Sequence, residues 1–254
     1  MGEGNKINVW WLLLGGSVLL LAGWFMKPFP IFMFIGLAPF FAILDHTIES
    51  ENFWENGEMI LIGLAIFFFA AFQFDTSVFV KILGLAIVFT LPFLGFAYVH
   101  ENLGSRTGKF IVIIFWLGFE YLLLKIQWPR QTIFLADAFQ ATSNWFRWNN
   151  GTGYLGVSTW VLFANWIFYA GLLRGGVNWF LVILGLVVVA GPIGYSLSLN
   201  ATPILRSDMI ELYKGNSVSV SGYNTKGELV ARTCAWLSVL ILLFAIVKSS
   251  ITKK

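Results

Sequence analysis

Eight stretches of the chain are almost wholly apolar: residues 9–26, 31–44, 59–74, 78–98, 110–126, 156–173, 178–198 and 234–247. About 20 apolar residues in a helix span the roughly 30 Å hydrocarbon core of a bilayer. Runs of 14 to 21 residues therefore predict transmembrane helices near the lower length limit. Two runs are short of a crossing on their own. The second carries Pro39 and follows Lys27-Pro28-Phe29-Pro30, so it is expected to dip in or lean on its neighbours. The last crosses only if Thr233 and the Lys248-Ser249 flank contribute. The pattern predicts an all-α, polytopic membrane protein of about eight transmembrane helices, forming a single domain over residues 1–254. The first run is read as a retained helix, because no small-residue cleavage pattern follows it near Met26.

The polar stretches set the orientation. With both termini on one side, the short flanks there hold Lys6, Arg106, Lys109, Arg174, Lys248, Lys253 and Lys254, against Lys27, Arg130 and Arg147 in the short loops opposite. Positive charge is retained on the cytoplasmic side, which predicts cytoplasmic termini. The acidic stretch 45–58 (Asp45, Glu49, Glu51, Glu55, Glu58) then forms a solvated cytoplasmic loop. Two longer segments fall outside. Residues 127–155 mix Trp128, Trp145, Phe146 and Trp148 with polar residues, as expected of an element at the membrane interface that lines or covers something. Residues 199–233 alternate as Ser217-Val218-Ser219-Val220 and Leu229-Val230-Ala231 around Asn224-Thr225-Lys226-Gly227, which predicts a small extracytoplasmic hairpin.

Composition narrows the function. The chain is 58% hydrophobic, 18% aromatic and 11% charged with a mean hydropathy of +0.78, which excludes a soluble enzyme. A net charge of +3, scattered along the chain, lacks the basic stripe of a nucleic-acid binder. A single cysteine, Cys234, and two histidines, His46 and His100, leave too few ligands for a zinc site, and no cofactor is expected.

Glu120 is the most informative side chain, since eleven residues into its helix it should lie near mid-membrane. A charge there costs roughly 2.5–3.5 kcal/mol, so the carboxyl is expected to be protonated, paired or open to a wet cavity, with a functional role as the default. The structural alternative is a hydrogen bond to Tyr121, Gln127 or Asn165. His100-Glu101 could move protons at a membrane surface, although surface solvation explains it as well. Lys81 beside Gln73 and Asp75 reads as an interfacial anchor paired with Asp75. Cys234 has no activating base nearby in sequence and reads as inert. Gly151-Thr152-Gly153-Tyr154-Leu155-Gly156 fits G-x-G-x-x-G but lacks the strand context of a dinucleotide site, so its glycines read as permitting close helix packing. Ser158 and Asn165, seven apart, share a helix face from which they can bond across helices. Asn150-Gly151-Thr152 and Asn200-Ala201-Thr202 match glycosylation sequons by pattern only.

These residues resemble the membrane portion of apolipoprotein N-acyltransferase, the bacterial enzyme that moves an acyl chain from a phospholipid to the N-terminal cysteine of a lipoprotein. Phe29-Pro30 with Leu37-Ala38-Pro39 resembles the family's second helix, and Trp116 with Glu120 its W-x-x-x-E helix. Trp128-Pro129 is similar to its Phe-Pro-Trp loop, and Gly153-Tyr154-Leu155-Gly156-Val157-Ser158 running to Asn165 to its G-x-x-G-x-S helix. The likeness covers residues 29 to about 198 and implies eight crossings of the bacterial inner membrane. It departs in one large respect. The family inserts a nitrilase-like domain with a Glu, Lys and Cys triad between its last two helices, where this chain has residues 199–233 and no cysteine. No catalytic residue carries over, and Leu123 stands where the family has an Arg. The resemblance implies a scaffold that accommodates membrane phospholipid or lipoprotein, with Trp116, Glu120, Trp128, Trp145, Trp148, Ser158 and Asn165 as cavity candidates. Two alternatives stay open: a lipid or lipoprotein acyltransferase with a separate catalytic partner, using Glu120 or His100 and Glu101 as acid or base, and a structural subunit packed against a membrane-protein partner.

Overall fold

The computed structural model describes residues 8–27, 30–49, 53–104, 108–126 and 132–252. All regular structure there is helical: α1 Val9–Phe25, α2 Met33–Gly36, α3 Ala38–Glu49, α4 Phe53–Ala71, α5 Phe79–Leu103, α6 Phe110–Ile126, α7 Gly156–Leu172, α8 Trp179–Ser198, α9 Arg206–Tyr213, α10 Ser221–Lys226 and α11 Leu229–Thr252, with a long 3₁₀ segment at Leu135–Gly151.

The expected hairpin at 217–231 is not formed. Its second half is α10, Gly227 at φ 55° and the first turn of α11. Alternation is a weak guide over so few residues: Val218 and Val220 find no neighbouring strand, whereas Asn224 ties the loop locally by bonding both the amide and the carbonyl of Val218.

Among the described residues, three helical stretches are long and apolar enough to cross a membrane: Thr76–Leu103, Trp179–Ser198 and Ser221–Ile251. The 3₁₀ segment and α7 pass the same test together, bent by 100° at their junction, while Val9–Phe25, Pro30–His46 and Gly57–Ala71 are shorter apolar helices. Both α8 and α11 expose large apolar side chains along their length, including Trp179, Phe180, Ile183, Trp236, Leu240 and Phe244. Apolar surface of this extent on a water-exposed fold would drive aggregation, and it marks a membrane-embedded protein.

The core lies among α1, α3, α4, α5, α6 and α7 and is rich in phenylalanine; Phe40, Phe41, Phe67, Phe68, Phe89, Phe93 and Phe96 are all fully buried. At one end of this bundle Lys109, just ahead of α6, pairs with Asp45 of α3 and donates to Tyr169 Oη (2.5 Å) and to the Phe41 carbonyl (3.0 Å). Tyr169 in turn donates to Asp45. Asp45 was expected in a solvated loop; instead it belongs to the clamp that ties α3, α6 and α7 together. At the other end, Asp75 caps the short 3₁₀ turn Thr76–Val78 through the Ser77 amide (2.8 Å), and Lys81 lies over the Phe72 ring.

The helix α11 packs along α6 and α5. Gly118 makes the close approach, since a Cβ there would meet Ser238 Oγ at 2.8 Å and the Ala235 backbone at 3.3 Å. Ser238 donates to the Ile114 carbonyl (3.2 Å), and Lys248 reaches the Leu103 carbonyl (3.3 Å). Beside this seam an apolar groove of about 500 Å³ opens between the three helices, lined by Leu94, Gly95, Phe115, Gly118, Leu122 and Val239 among others.

Candidate functional site

Trp116 and Glu120 are one helical turn apart and share a face of α6. The Trp116 indole donates to Glu120 Oε1 at 3.1 Å, and its ring is held by Phe89 (centroids 4.6 Å apart) and Phe93 of α5. The Leu135 amide donates to the same oxygen at 3.2 Å, and Ser158, which lies beside the carboxyl, accepts from the Ala136 amide at 3.2 Å. The first amides of a 3₁₀ or α-helix have no partner within it. Here the Phe134 amide goes to Asp137 Oδ2 (2.9 Å), that of Leu135 to Glu120 and that of Ala136 to Ser158. Glu120 thus reaches the segment that covers it; of the partners named in the structural alternative, Tyr121 and Asn165 are not among its bonds, Asn165 being engaged elsewhere, and Gln127 lies outside the described residues. Glu120 is fully buried and its Oε2 has no hydrogen-bond partner among the described residues.

A second buried carboxylate sits beside the first. Asp137 Oδ1 accepts from Tyr154 Oη (2.7 Å) and Gln140 Nε2 (3.1 Å), and Oδ2 is ion-paired with Arg206 at the start of α9. Arg206 also donates to the Thr132 carbonyl (2.6 Å) and lies over the Phe134 ring. A third acid, Glu228, accepts from the Tyr154 and Leu155 amides (both 2.8 Å) ahead of α7, and from the Tyr223 hydroxyl. Carboxylates at a helix N-terminus satisfy its orphan donors and complement its dipole. Gly153 makes this approach feasible: its φ is 90°, and a Cβ would stand 2.3 Å from Glu228 Oε2. The Gly151–Gly156 motif is therefore a turn closed by the chain's own carboxylate; the close packing expected of its glycines is present at Gly153, against Glu228 just ahead of α11, and not at Gly151, where a Cβ would meet nothing within 4 Å.

Asn149 holds the 3₁₀ segment to the loop before α9, its side-chain amide pairing with both the N–H and the C=O of Ile204 (2.8 Å each). Asn165 uses both ends of its amide on the break between α2 and α3. Oδ1 accepts from Leu37 N (2.6 Å) and Ala38 N (3.0 Å), and Nδ2 donates to the Met33 (2.7 Å) and Val161 (2.8 Å) carbonyls. The cross-helix bonding expected of Ser158 and Asn165 is present, but the two serve different partners.

Of the seven sequence candidates, Trp116, Glu120 and Ser158 converge, while Asn165 fixes the α2–α3 break. Trp148 lies against Trp160 (centroids 5.8 Å apart) next to α8, and Trp145 packs on the core from the covering segment. Trp128 lies outside the described residues. Of the segment 127–155, the described residues 132–155 cover the site, and Leu135, Ala136, Ala138 and Phe139 are buried in it, so this part is a plug more than an interfacial float. Sequence reasoning missed Asp137, Tyr154, Arg206 and Glu228. For the two acids the available signal was a carboxylate beside an apolar run, Asp137 in an aromatic segment and Glu228 just ahead of the last span. His100 places its ring against Phe96 near the end of α5, and Cys234 is half-buried with its thiol free. Among the described residues no three His, Cys, Asp or Glu side chains come together as metal ligands.

The arrangement can hold charge and protons inside the bundle, with Asp137 linked through Arg206 toward the surface. Glu120, Asp137, Glu228 and the Tyr154 phenol fasten chain segments to one another. No protein-family model, curated protein or solved structure matches this chain.

Proposed function

We propose that the chain is a bacterial inner-membrane protein that crosses the bilayer eight times and holds an acyl chain of a membrane phospholipid or lipoprotein, on a scaffold like that of apolipoprotein N-acyltransferase and without acyl transfer by that family's thiol mechanism. The eight crossings would be α1, the broken α2–α3 pair, α4, α5, α6, α7, α8 and α11, with both termini cytoplasmic as the charge asymmetry implies. Short spans such as α1 and α4 are compatible with this where they lean on neighbours.

The observation that carries the reading is the groove between α5, α6 and α11. Its volume of about 500 Å³ falls in the range of ligand pockets, and its lining is apolar apart from Tyr98 and Ser238. The helix α6 serves two purposes: Phe115, Gly118 and Leu122 face the groove, while Trp116 and Glu120, on its other side, lock its rotation to the covering segment. Residues 199–233, where the family carries its catalytic insert, are spent on α9, α10 and the Arg206 and Glu228 contacts, and contain no cysteine. The family's thioester route has no nucleophile there.

The test is lipid retention by the purified protein, read by mass spectrometry. Val239 lines the groove and is 50% exposed, so Val239→Trp fills the space with little effect on packing. The wild type is expected to retain phospholipid that the variant loses. Equal retention would end the reading, and so would a change in lipoprotein N-terminal acylation on deletion that a Val239→Trp copy fully restores. Glu120→Gln keeps the acceptor used by Trp116 and Leu135 and alters only the oxygen without a partner, so it should change stability by less than about 1 kcal/mol. A loss well beyond that in a detergent melt would show that Oε2 has a partner.

A further inference from the structure

We propose that a second cleft, between α8, α7 and the 3₁₀ segment, is a site for an anionic phospholipid, with an acyl chain against Pro192 of α8 and the phosphate on Arg147. The site does not depend on the groove reading, because α8 packs on α7 and the 3₁₀ segment while the groove belongs to α5, α6 and α11.

Pro192 inside α8 has no N–H to give the Val188 carbonyl four residues earlier. That carbonyl instead accepts from the Trp160 indole at 2.7 Å, which fixes the ring beside Pro192. Trp148 stands edge-on to Trp160, and the two rings with Gly191, Pro192 and Tyr195 enclose a cleft of about 420 Å³. Gly191 opens its floor: a Cβ there would meet nothing within 4 Å. The walls are aromatic and apolar and the cleft is open on its outer side, where α8 exposes Leu186, Val187 and Tyr195. Such a shape takes a flexible hydrocarbon chain, and indole and phenol rings at this position are typical of the headgroup level.

Charge selects the occupant. Arg147 adjoins Trp148 in the chain, and its guanidinium donates to the Leu199 carbonyl at 2.8 Å. Leu199 follows Tyr195 by four residues, about 6 Å along a helix axis, so the cation sits roughly one turn beyond the cleft's last ring. An arginine carries five donors, and one bond to Leu199 leaves four for phosphate oxygens. Among the described residues no ion pair involves Arg147. The C-terminus of α8 offsets about half a unit of its charge, which leaves a net positive site. A cation at headgroup level next to an acyl-sized aromatic cleft fits a phospholipid with net negative charge better than a zwitterionic one.

The experiment uses the full chain in detergent, mixed with equal amounts of phosphatidylglycerol and phosphatidylethanolamine of the same acyl chains, with retained lipid read by native mass spectrometry. The wild type should hold phosphatidylglycerol in preference by about fivefold, the factor expected for one basic side chain near an anionic headgroup. Arg147→Gln should abolish the preference, Arg147→Lys should keep it, and Gly191→Leu should lose the selective adduct by filling the cleft. Val239→Trp should leave that adduct intact, which separates this site from the groove. The proposal is overturned if the wild type shows no preference or Arg147→Gln retains it. It is also overturned if Gly191→Leu binds as the wild type does, or if glycerol phosphate without acyl chains displaces the adduct.

Discussion

Arg206→Met is expected to lower stability by about 3–5 kcal/mol, the usual cost of removing one partner of a buried ion pair. The loss comes less from the contact than from what is left behind. Asp137 is 3% exposed, so without the guanidinium its charge remains inside the bundle with only Phe134 N, Gln140 and Tyr154 to solvate it. The Thr132 carbonyl loses the guanidinium's bond as well. An SDS titration followed by tryptophan fluorescence reads the loss. The double variant Asp137→Asn with Arg206→Met should recover a large part of it, because a neutral amide needs no counter-ion. A single variant within 1 kcal/mol of wild type, or a double variant whose loss equals the sum of the two singles, would show that the pair does not hold the covering segment down.

The second large effect belongs to Asn165→Leu. The side chain is close in volume and apolar, so packing in α7 is nearly conserved, and the cost isolates the hydrogen bonds. Two groups are orphaned at the α2–α3 break, the amide of Ala38 and the carbonyl of Met33, and the Leu37 amide keeps only its bond to the Ile35 carbonyl. Each buried orphan costs about 1–3 kcal/mol, so a loss of at least about 2 kcal/mol is expected. Single membrane hydrogen bonds often contribute about 0.6 kcal/mol net, but that figure refers to bonds whose partners can re-pair. Here the break lies against Phe34, Phe40 and Phe41, all fully buried, where water does not reach. Asn165→Asp, retaining the acceptor for both amides while losing the donor to Met33, should fall between the two. If Asn165→Leu melts with the wild type, the break satisfies itself and the asparagine serves another purpose.

How far the sequence could be read follows from which interactions are local. Apolar runs are a one-dimensional property, so the helical class, the membrane setting and the main helix positions could be read from them directly. Pro39 and the prolines ahead of it marked the second run as one that dips in or leans on its neighbours, and the structure divides it at Leu37. The seven-residue spacing of Ser158 and Asn165 correctly implied cross-helix bonds, but not their targets. The alternating residues 217–231 misled because a strand exists only with a neighbour, and none lies beside them.

The sequence by itself determined that this is an all-helical membrane protein with a carboxylate deep in one of its helices, because solvent preference and helical period act residue by residue. Only the tertiary structure decided where that carboxylate points, and that Asp137, Arg206 and Glu228 join it in fastening a 3₁₀ segment over α6 and α7. The same is true of the two clefts, one beside α11 and one beside α8. Hydrogen bonds spanning 15 to 74 residues, such as Leu135 to Glu120 and Tyr154 to Glu228, depend on distances that no local pattern encodes.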